Sequence, residues 1–379
     1  MKYMCLLFSV AIFFLNSCIR ETETNPLSIS VDVEKKNNNV SFFDLFDSVE
    51  VIYLETNQDC MINQPTRSIY QEGAYYIFDR PQKAIFVFDN TGNFLFKIHN
   101  VGNGPGEYHQ LVDFEINNFT NSIDLLTPFG QVLKYDLSSG VFLYSYQLPE
   151  SVRAVHFFKS ISPETTVFYQ KFENRKLLFY SLKEQTIVSE QHELPYYVSR
   201  YLPRAFNWHP FHRVNGSLRL FEDFSRTIYD LEQDTITPYL SWDFGKYNFN
   251  YGSLKVNMDP QYYEDYLNDN SLIHILSTYI ENDSIIITQF FWHKSFYSLI
   301  YKKGEEEYLL MDGFTEGVKF PSYPFLQEEG LCAVVQPWHI GAFLPEEIIK
   351  SMGIPKCLNT ECNPVILKYN FLNSSHSLF

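Results

Sequence analysis

The 379-residue sequence is short of basic residues, of glycine and of cysteine. Its 29 Lys and Arg against 45 Asp and Glu give a net charge of −16, which argues against duplex nucleic acid as a partner because phosphate binding needs a basic surface. With only 16 Gly and 18 Pro, the collagen-like and low-complexity classes are excluded. Aromatic residues are abundant instead: 35 Phe, 27 Tyr and 4 Trp make up 17% of the chain, which excludes a largely disordered protein.

Long apolar runs are missing as well, and the longest one lies at the N-terminus. Residues 6–15 form an apolar run of ten residues that would cover about 15 Å as a helix, half of a bilayer core, so they indicate a signal peptide rather than a membrane span. The Leu15-Asn16-Ser17-Cys18 sequence that follows resembles a bacterial lipobox, in which Cys18 would be lipidated and become the mature N-terminus. The alternative is an ordinary secretory signal in which the Cys occurs by chance.

This pattern predicts three parts: a lipoprotein signal peptide over residues 1–17, a polar tether over residues 18–40, and one folded domain over residues 41–379. We expect the protein to be held in the bacterial cell envelope, at the outer membrane, by its N-terminal lipid alone. The folded domain would face the periplasm or the cell surface.

Four Cys are left in the mature chain once Cys18 is lipidated. Cys357 and Cys362 are close enough in sequence to close a small disulfide-bonded loop, and Cys60 could then pair with Cys332 in an oxidising compartment. Zinc binding is less favoured because no second Cys/His pair stands at finger-like spacing. Cys357–Cys362 is therefore the candidate disulfide.

Short alternating or apolar runs bounded by turn residues recur along the domain, which is typical of β-strands. The recurring unit is a strand, a turn and a returning strand, at a mean spacing of about 51 residues, and a period of this size with several strands per unit is the mark of a β-propeller. The units begin at Ala74, Ser122, Thr165, Ser217, Ser284 and Leu331. The sequence therefore predicts an all-β fold, a six-bladed β-propeller with four-stranded antiparallel blades.

The two ends of the domain each carry one strand without a complete unit. Residues 49–54 and 363–371 are predicted to share a blade, which closes the ring and removes two open sheet edges. Two helices are also predicted: residues 259–280, which would explain the longest interval between units, and residues 344–350, where Pro345 suits a first turn.

Several segments resemble the six-bladed β-propeller lipoproteins of anaerobic Gram-negative bacteria, whose architecture is related to NHL-repeat propellers. The strongest match is the GNGPGEY sequence of residues 102–108, which is similar to a segment after the first blade of that family. Weaker matches resemble its opening strand, fourth blade and closing strand, and they lie at residues 46–56, 223–247 and 363–365. The resemblance covers most of residues 41–372; it implies the propeller fold and no particular activity.

In a propeller, the connections between blades and those between the second and third strands of each blade share one face. Trp beside Arg and His on that face would suit stacking on sugars or aromatic groups. The alternative is that the Trp side chains pack between blades. The predicted ligand-binding residues are Arg80, Glu107, Arg153, Arg204, Trp208, His209, Arg226, Trp292, His293, Trp338 and His339.

No motif predicts a catalytic site. The glycine-rich segment lacks the Lys-Ser/Thr of a P-loop and is interpreted as a sharp turn that aims Glu107 at the channel mouth; no GxSxG segment is present; and Asp113 and Glu115 have no clear cleft. His209 and His212 are separated by Pro210, which breaks a helix, so a channel metal site is only an alternative. We therefore expect no metal and no cofactor.

The predicted function is that of an envelope-anchored binding or interaction module whose ligand is a carbohydrate, a peptide or another envelope protein. The alternative is a metal-assisted lyase or hydrolase that works at the mouth of the propeller channel.

Overall fold

The structure, a computed structural model, describes residues 26–150, 152, 154–194, 209–251, 265, 271–353 and 362–372. These residues form six sheets, each built on four antiparallel strands, arranged as the blades of a β-propeller; one sheet has a fifth, parallel strand. The predicted fold class is therefore confirmed.

The blades follow one another along the chain, and the first strand of each lies nearest the centre. Blades 1 and 2 consist of β3 (Pro65–Gln71), β4 (Ala74–Asp79), β5 (Ala84–Asp89) and β6 (Phe94–Ile98), then β7 (Asp113–Asn117), β8 (Ser122–Leu126), β9 (Gln131–Asp136) and β10 (Phe142–Gln147). Blades 3 and 4 consist of β11 (Phe157–Ser160), β12 (Thr165–Tyr169), β13 (Arg175–Ser181) and β14 (Thr186–Glu193), then β15 (Phe211–Val214), β16 (Ser217–Leu220), β17 (Thr227–Glu232) and β18 (Thr235–Asp243). Blades 5 and 6 consist of β19 (Leu276–Glu281), β20 (Ile285–Trp292), β21 (Ser295–Lys302) and β22 (Glu307–Met311), then β23 (Phe325–Gln327), β24 (Gly330–Val335), β25 (Val365–Phe371) and β2 (Phe46–Tyr53).

The six predicted unit starts fall within one residue of the second strand of each blade. These strands were recognisable because both of their faces are covered by neighbouring blades, so they are continuously apolar: every residue of β4 is buried, as is nearly every residue of β5. The fourth strands have one solvent face and alternate instead, as β6 does.

Apolar clusters fill the spaces between neighbouring blades. Phe114 of blade 2 packs among residues of blade 1, with its ring centroid 6.0 Å from that of Phe78. Between blades 4 and 5, Trp242 is fully buried and makes an edge contact with Tyr301. A similar cluster lies between each of the four remaining pairs of neighbouring blades, so the core is divided into six wedges.

The ring closes through blade 6, as predicted, where β2 pairs antiparallel with β25. Just beyond this pair, Asn363 joins the two ends of the ring: its Oδ1 accepts the Ile62 N–H at 2.7 Å, and its Nδ2 donates to the backbone oxygens of Glu55 and Cys60 at 2.6 and 2.9 Å. A single buried amide thus fixes the connection from blade 6 to blade 1.

The segment before β2 differs from its predicted role as a tether. β1 (Leu27–Ser30) adds to the outer edge of blade 4 as a parallel fifth strand beside β18, and Ile29, Val31 and Val33 are buried between blades 4 and 5. The chain then crosses blade 5, where the Asn37 N–H donates to the Leu310 oxygen at 2.7 Å. Residues 27–40 therefore belong to the folded body, while residues 18–25 lie outside the described residues.

Ser41 begins the short helix α1 (Phe42–Leu45) through a capping box with Asp44. α2 (Glu346–Ser351) confirms the predicted helix near residue 344. The helix predicted over residues 259–280 is wrong at its end, because β19 occupies Leu276–Glu281 as the buried inner strand of blade 5; residues 252–264 and 266–270 lie outside the described residues. Two 3₁₀ helices cover Gly245–Tyr247 and Pro337–Ala342.

The suggested Cys60–Cys332 pair is wrong, because both are buried free thiols, and the Cys60 Sγ donates to the Glu55 oxygen at 3.1 Å. The candidate Cys357–Cys362 disulfide stays a prediction because Cys357 lies outside the described residues, as do the signal peptide and Cys18. In the part of the chain that is described, no helix is long and apolar enough to span a bilayer.

Gly92 provides a test of the closure. It has φ +92° in the turn between β5 and β6, and an added Cβ would lie 2.2 Å from the Tyr53 oxygen at the end of β2. Gly73 has a similar φ of +79° but nothing within 4 Å of an added Cβ. We expect Gly73→Ala to lower the free energy of unfolding by about 1 kcal/mol through backbone strain alone, and Gly92→Ala to lower it by about 2 kcal/mol more through overpacking. Urea unfolding of both variants measures the difference, and equal losses would contradict a tight closure at this point.

Candidate functional site

The first strands of the six blades surround a central cavity of about 800 Å³. Apart from Glu281 of blade 5, the charged side chains of its lining come from blades 1 to 4. Blades 1 to 4 contribute a polar arc, defined here as Arg67, Arg80, Asp113, Glu115, Lys159, His209 and Arg213. Blades 5 and 6 contribute an apolar arc, defined as Ile280, Phe325, Leu326 and Val334.

Asp113 binds two other members of the polar arc, Arg67 and His209. Its side chain is only 1% exposed, and it accepts hydrogen bonds from Arg67 Nη1 at 2.5 Å, from the Phe158 N–H at 3.1 Å and from His209 Nε2 at 3.0 Å. Burial would raise the pKa of Asp113, but Arg67, His209 and the Phe158 N–H together hold it below its usual value. One carboxylate therefore connects the inner strands of blades 1, 2 and 3 with the segment that leads into blade 4.

Glu115 lies two residues further along β7 and repeats this arrangement. It is also 1% exposed, and it accepts from the Ser160 N–H at 2.9 Å, from Ser160 Oγ at 2.6 Å and from Lys159 Nζ at 3.1 Å. Burial raises the pKa of Glu115; Lys159 opposes this effect, and the nearby charge of Asp124 adds to it. Since residues i and i+2 of a strand share a side, Asp113 and Glu115 both face the cavity, and the expectation that they have no cleft is wrong.

The cations of the polar arc are more exposed than these carboxylates. The side chains of Arg67 and Lys159 are 18% and 14% exposed. Arg80 donates through Nη2 to the Val112 oxygen at 2.9 Å, while its Nε is buried without a partner among the described residues. Arg213 donates to the Ser160 oxygen at 2.7 Å. The groups that the cavity exposes are therefore mainly cationic.

Both histidines of the predicted pair line the cavity. The tautomer that satisfies both ring nitrogens of His209 places its proton on Nε2, which donates to Asp113, and leaves Nδ1 to accept the Phe211 N–H at 3.2 Å. Burial lowers the pKa of His209, and it lowers that of His212 to about 3. Both rings are therefore neutral near pH 7.

A second polar cluster lies between blades 3 and 4, away from the lining of the cavity. Glu222 is buried and accepts from Tyr169 OH and from His192 Nε2, each at 2.6 Å. Beside it, burial raises the pKa of Asp223 to about 7, although Lys171 opposes the shift. This cluster connects β12 and β14 of blade 3 to the segment that follows β16 in blade 4.

Of the predicted ligand-binding residues, only Arg80 and His209 line the cavity among those that are described. The sequence predicts that Glu107 points at the channel mouth. Its carboxylate instead folds back and accepts the Gly104 N–H at 2.7 Å. Trp292 is not exposed: it is 7% exposed, packs between blades 4 and 5 and donates to the Ser271 oxygen at 3.2 Å.

The remaining predicted residues are scattered. Trp338 is 49% exposed and lies next to His339, with 5.9 Å between ring centroids. Arg226 donates to the Trp242 oxygen at 2.6 Å, and His293 is exposed in the turn between β20 and β21. Arg153, Arg204 and Trp208 lie outside the described residues.

The metal alternative finds no donor set in the described part of the chain, where no three His, Cys, Asp or Glu side chains are grouped to hold an ion. The sequence interpretation missed Arg67, Lys159 and Arg213 because each lies on an inner strand of mixed polarity. The signal that could have found the site was the Asp113–Glu115 spacing, which places two carboxylates on one side of a buried strand whose other side carries Phe114 and Ile116.

Comparisons with known proteins add a family and a fold. The family model described as "Domain of unknown function (DUF4934)" matches residues 27–370. No curated relative matches the sequence.

Among solved structures, the chain is similar to a candidate exported protein of Bacteroides fragilis NCTC 9343, with a TM-score of 0.73, 16% identity and coverage of 92% of this chain and 100% of that one. It is also similar to a DUF4221 family member from Bacteroides vulgatus, with a TM-score of 0.49, 10% identity and coverage of 86% and 99%. A third similar structure is the Neurospora crassa Pan2 WD40 domain, with a TM-score of 0.45, 11% identity and coverage of 78% and 81%. At 16% identity, the first likeness concerns the fold alone.

Asp113 should be important for stability as well as for the cavity. Asp113→Ala leaves Arg67 and the Phe158 N–H without their acceptor in a buried place, so we expect a loss of about 3–5 kcal/mol in the free energy of unfolding. Glu305→Ala removes an exposed partner of Lys302 and should change it by less than about 1 kcal/mol. Chemical unfolding compares the two, and a loss for Asp113→Ala as small as that of the control would show that the carboxylate does not link the blades.

His212 should make the fold sensitive to acid. Its pKa is about 3 in the folded protein and about 6.5 in the unfolded chain, so the unfolded state binds more protons as the pH falls below about 6.5, and stability decreases. His212→Phe keeps a ring against Phe221 and Tyr279, and it should lose less stability between about pH 7.5 and about pH 5 than the wild type does. Exposed His99→Phe is the control; unfolding at both pH values that gives parallel losses for wild type and His212→Phe would contradict the prediction.

Proposed function

We propose that this chain, which belongs to the DUF4934 family, is a non-catalytic binding protein whose ligand occupies the central cavity of the propeller. The observation that carries the proposal is the composition of the cavity wall, in which partly exposed cations of blades 1 to 4 lie across the cavity from the apolar arc. A few placed polar groups against an apolar wall are what small-molecule sites have in common.

The size and the rigidity of the cavity support the same proposal. A volume of about 800 Å³ lies within the range of ligand sites for small molecules or for the end of a longer chain. Most of the polar side chains lie on the inner strands of blades 1 to 4 and are held by bonds to backbone atoms, such as those from Phe158 and Ser160 to the two carboxylates. Because the site is already ordered, a ligand would bind without the entropy loss of arranging it.

We also propose that the protein is anchored in the cell envelope by a lipid on Cys18. The lipobox-like sequence before Cys18 supports this anchoring. β1 begins at Leu27, nine residue steps after Cys18, and nine steps of extended chain can span at most about 30 Å. The outer edge of blade 4 would therefore be the part of the propeller nearest to the membrane.

Filling the cavity tests the binding function. Ser68 lines the cavity on β3 and is half-buried, so Ser68→Trp would occupy ligand space, whereas Ser145→Trp places the same side chain on the exposed outer strand of blade 2. Thermal shift with a panel of neutral monosaccharides, sugar acids, amino acids and short peptides should find a compound that raises the Tm of the wild type and of Ser145→Trp but not of Ser68→Trp.

Two outcomes would count against the proposal. A panel that leaves the wild-type Tm unchanged would remove its basis, because a preformed cavity of this kind should accept at least one compound class. A compound that still stabilises Ser68→Trp but fails with Trp338→Ala would place binding on the outer face, where Trp338 is exposed.

A further inference from the structure

The central cavity presents an excess of positive charge, although the whole chain carries a net charge of −16. The described residues of the polar arc include four permanent cations, which outnumber its two carboxylates, Asp113 and Glu115. Those carboxylates are 1% exposed, while their partners Arg67 and Lys159 are 18% and 14% exposed. A ligand in the cavity therefore meets the cations first.

The carboxylates have little hydrogen-bonding capacity left for a ligand. Asp113 already accepts from three groups, and Glu115 accepts from the N–H and the hydroxyl of Ser160 and from Lys159. Glu281 of blade 5 also borders the cavity, but its carboxylate is held by Lys303, Arg219 and Tyr239. None of these three groups is placed to bind a cationic ligand.

The guanidinium groups, in contrast, have donors to spare. A guanidinium carries five N–H donors, and the hydrogen bonds of Arg67 run through Nη1 alone, to Asp113 and to the Phe114 oxygen. Arg80 uses Nη2 and leaves a buried Nε without a partner among the described residues. Arg80 and Arg213 form no ion pair within the described part of the chain. The cavity thus offers charged donors and lacks the acceptors for them.

We infer that the cavity recognises a carboxylate group of its ligand through the cations of the polar arc, with an apolar part of the same ligand against the apolar arc. This inference rests on the proposed function, since it names the chemistry that the same cavity binds. Planar guanidinium groups suit carboxylates because they can donate two parallel hydrogen bonds. The carboxylate can come from a sugar acid or from an amino acid or peptide C-terminus.

Two matched pairs of probes test the inference and separate these sources. D-Galacturonate is compared with D-galactose, and N-acetyl-L-phenylalanine is compared with its amide, by isothermal titration calorimetry on the purified protein. In at least one pair we expect the carboxylate to bind at least about tenfold more tightly than its neutral counterpart, which corresponds to one or two charged hydrogen bonds. Its affinity should fall as salt is raised.

A charge-removing variant links this preference to the cavity. Arg80→Gln combined with Arg213→Gln removes two cations that have no carboxylate partner, so neither change leaves a buried carboxylate unpaired. We expect the double variant to bind the preferred carboxylate at least about tenfold more weakly, while Arg175→Gln, at an exposed site on blade 3, binds it as the wild type does. Circular dichroism of each variant confirms that it is folded.

The outcomes separate this inference from the proposed function. A neutral probe that binds the wild type as tightly as its carboxylate partner, and is blocked by Ser68→Trp, would overturn the carboxylate inference and leave cavity binding intact. Failure of both carboxylates to bind, or full affinity in the double Arg variant, would also overturn the inference. The proposed function itself would be overturned only if no compound of the wider panel bound the wild type and lost that binding in Ser68→Trp.

Discussion

The antiparallel pairing of β2 with β25 is the interaction on which the rest of the structure depends, because it converts a row of six sheets into a ring. Each blade buries its faces only against its neighbours, so an open ring would expose the apolar surfaces of blades 6 and 1. The pairing joins residues more than 300 positions apart, such as Val51 and Leu367, and contacts of this separation carry a high loop-closure entropy. Asn363 adds buried hydrogen bonds at the same place. Once β2 and β25 have paired, little further chain has to be ordered for these bonds to form.

Closure also creates the cavity, and the cavity explains why buried carboxylates occur in the second blade. Asp113 and Glu115 accept backbone N–H groups of β11, so they hold blade 3 against blade 2 at the cavity wall. Their charges in turn fix Arg67 and Lys159 at the cavity wall. The same two side chains therefore contribute to blade packing and set the charge that the cavity presents, which is why an acidic protein can have a cationic interior surface.

The sequence predicted the blades far better than it predicted the site. The second and third strands, such as β4 and β5, are covered on both faces and therefore apolar, and their recurrence was sufficient to count six units and to pair the chain ends. The inner strands of the polar arc are of mixed polarity, and some are short, as in the FHRV sequence of Phe211–Val214, so their pattern does not differ from that of a loop. The contacts within the polar arc join residues 44 (Glu115 and Lys159), 46 (Arg67 and Asp113) and 96 (Asp113 and His209) positions apart, and only the curvature of the ring brings them together. Trp292 shows the opposite error: its place beside a turn suggested an exposed binding residue, but its side chain is buried between two blades.

The N-terminal segment from Leu27 to Leu45 has a mechanical consequence. It is laid across the outside of blades 4 and 5 before the chain enters the closing strand of blade 6, and it is held there by β1, by three buried aliphatic side chains and by the Asn37 backbone bond. A force applied to the chain ahead of Leu27 therefore acts first on this outer wrapping. This segment must detach from blades 4 and 5 before any force reaches β2. The β2–β25 pair that closes the ring is therefore protected from tension at the N-terminus, which is the end by which an anchored protein would be pulled.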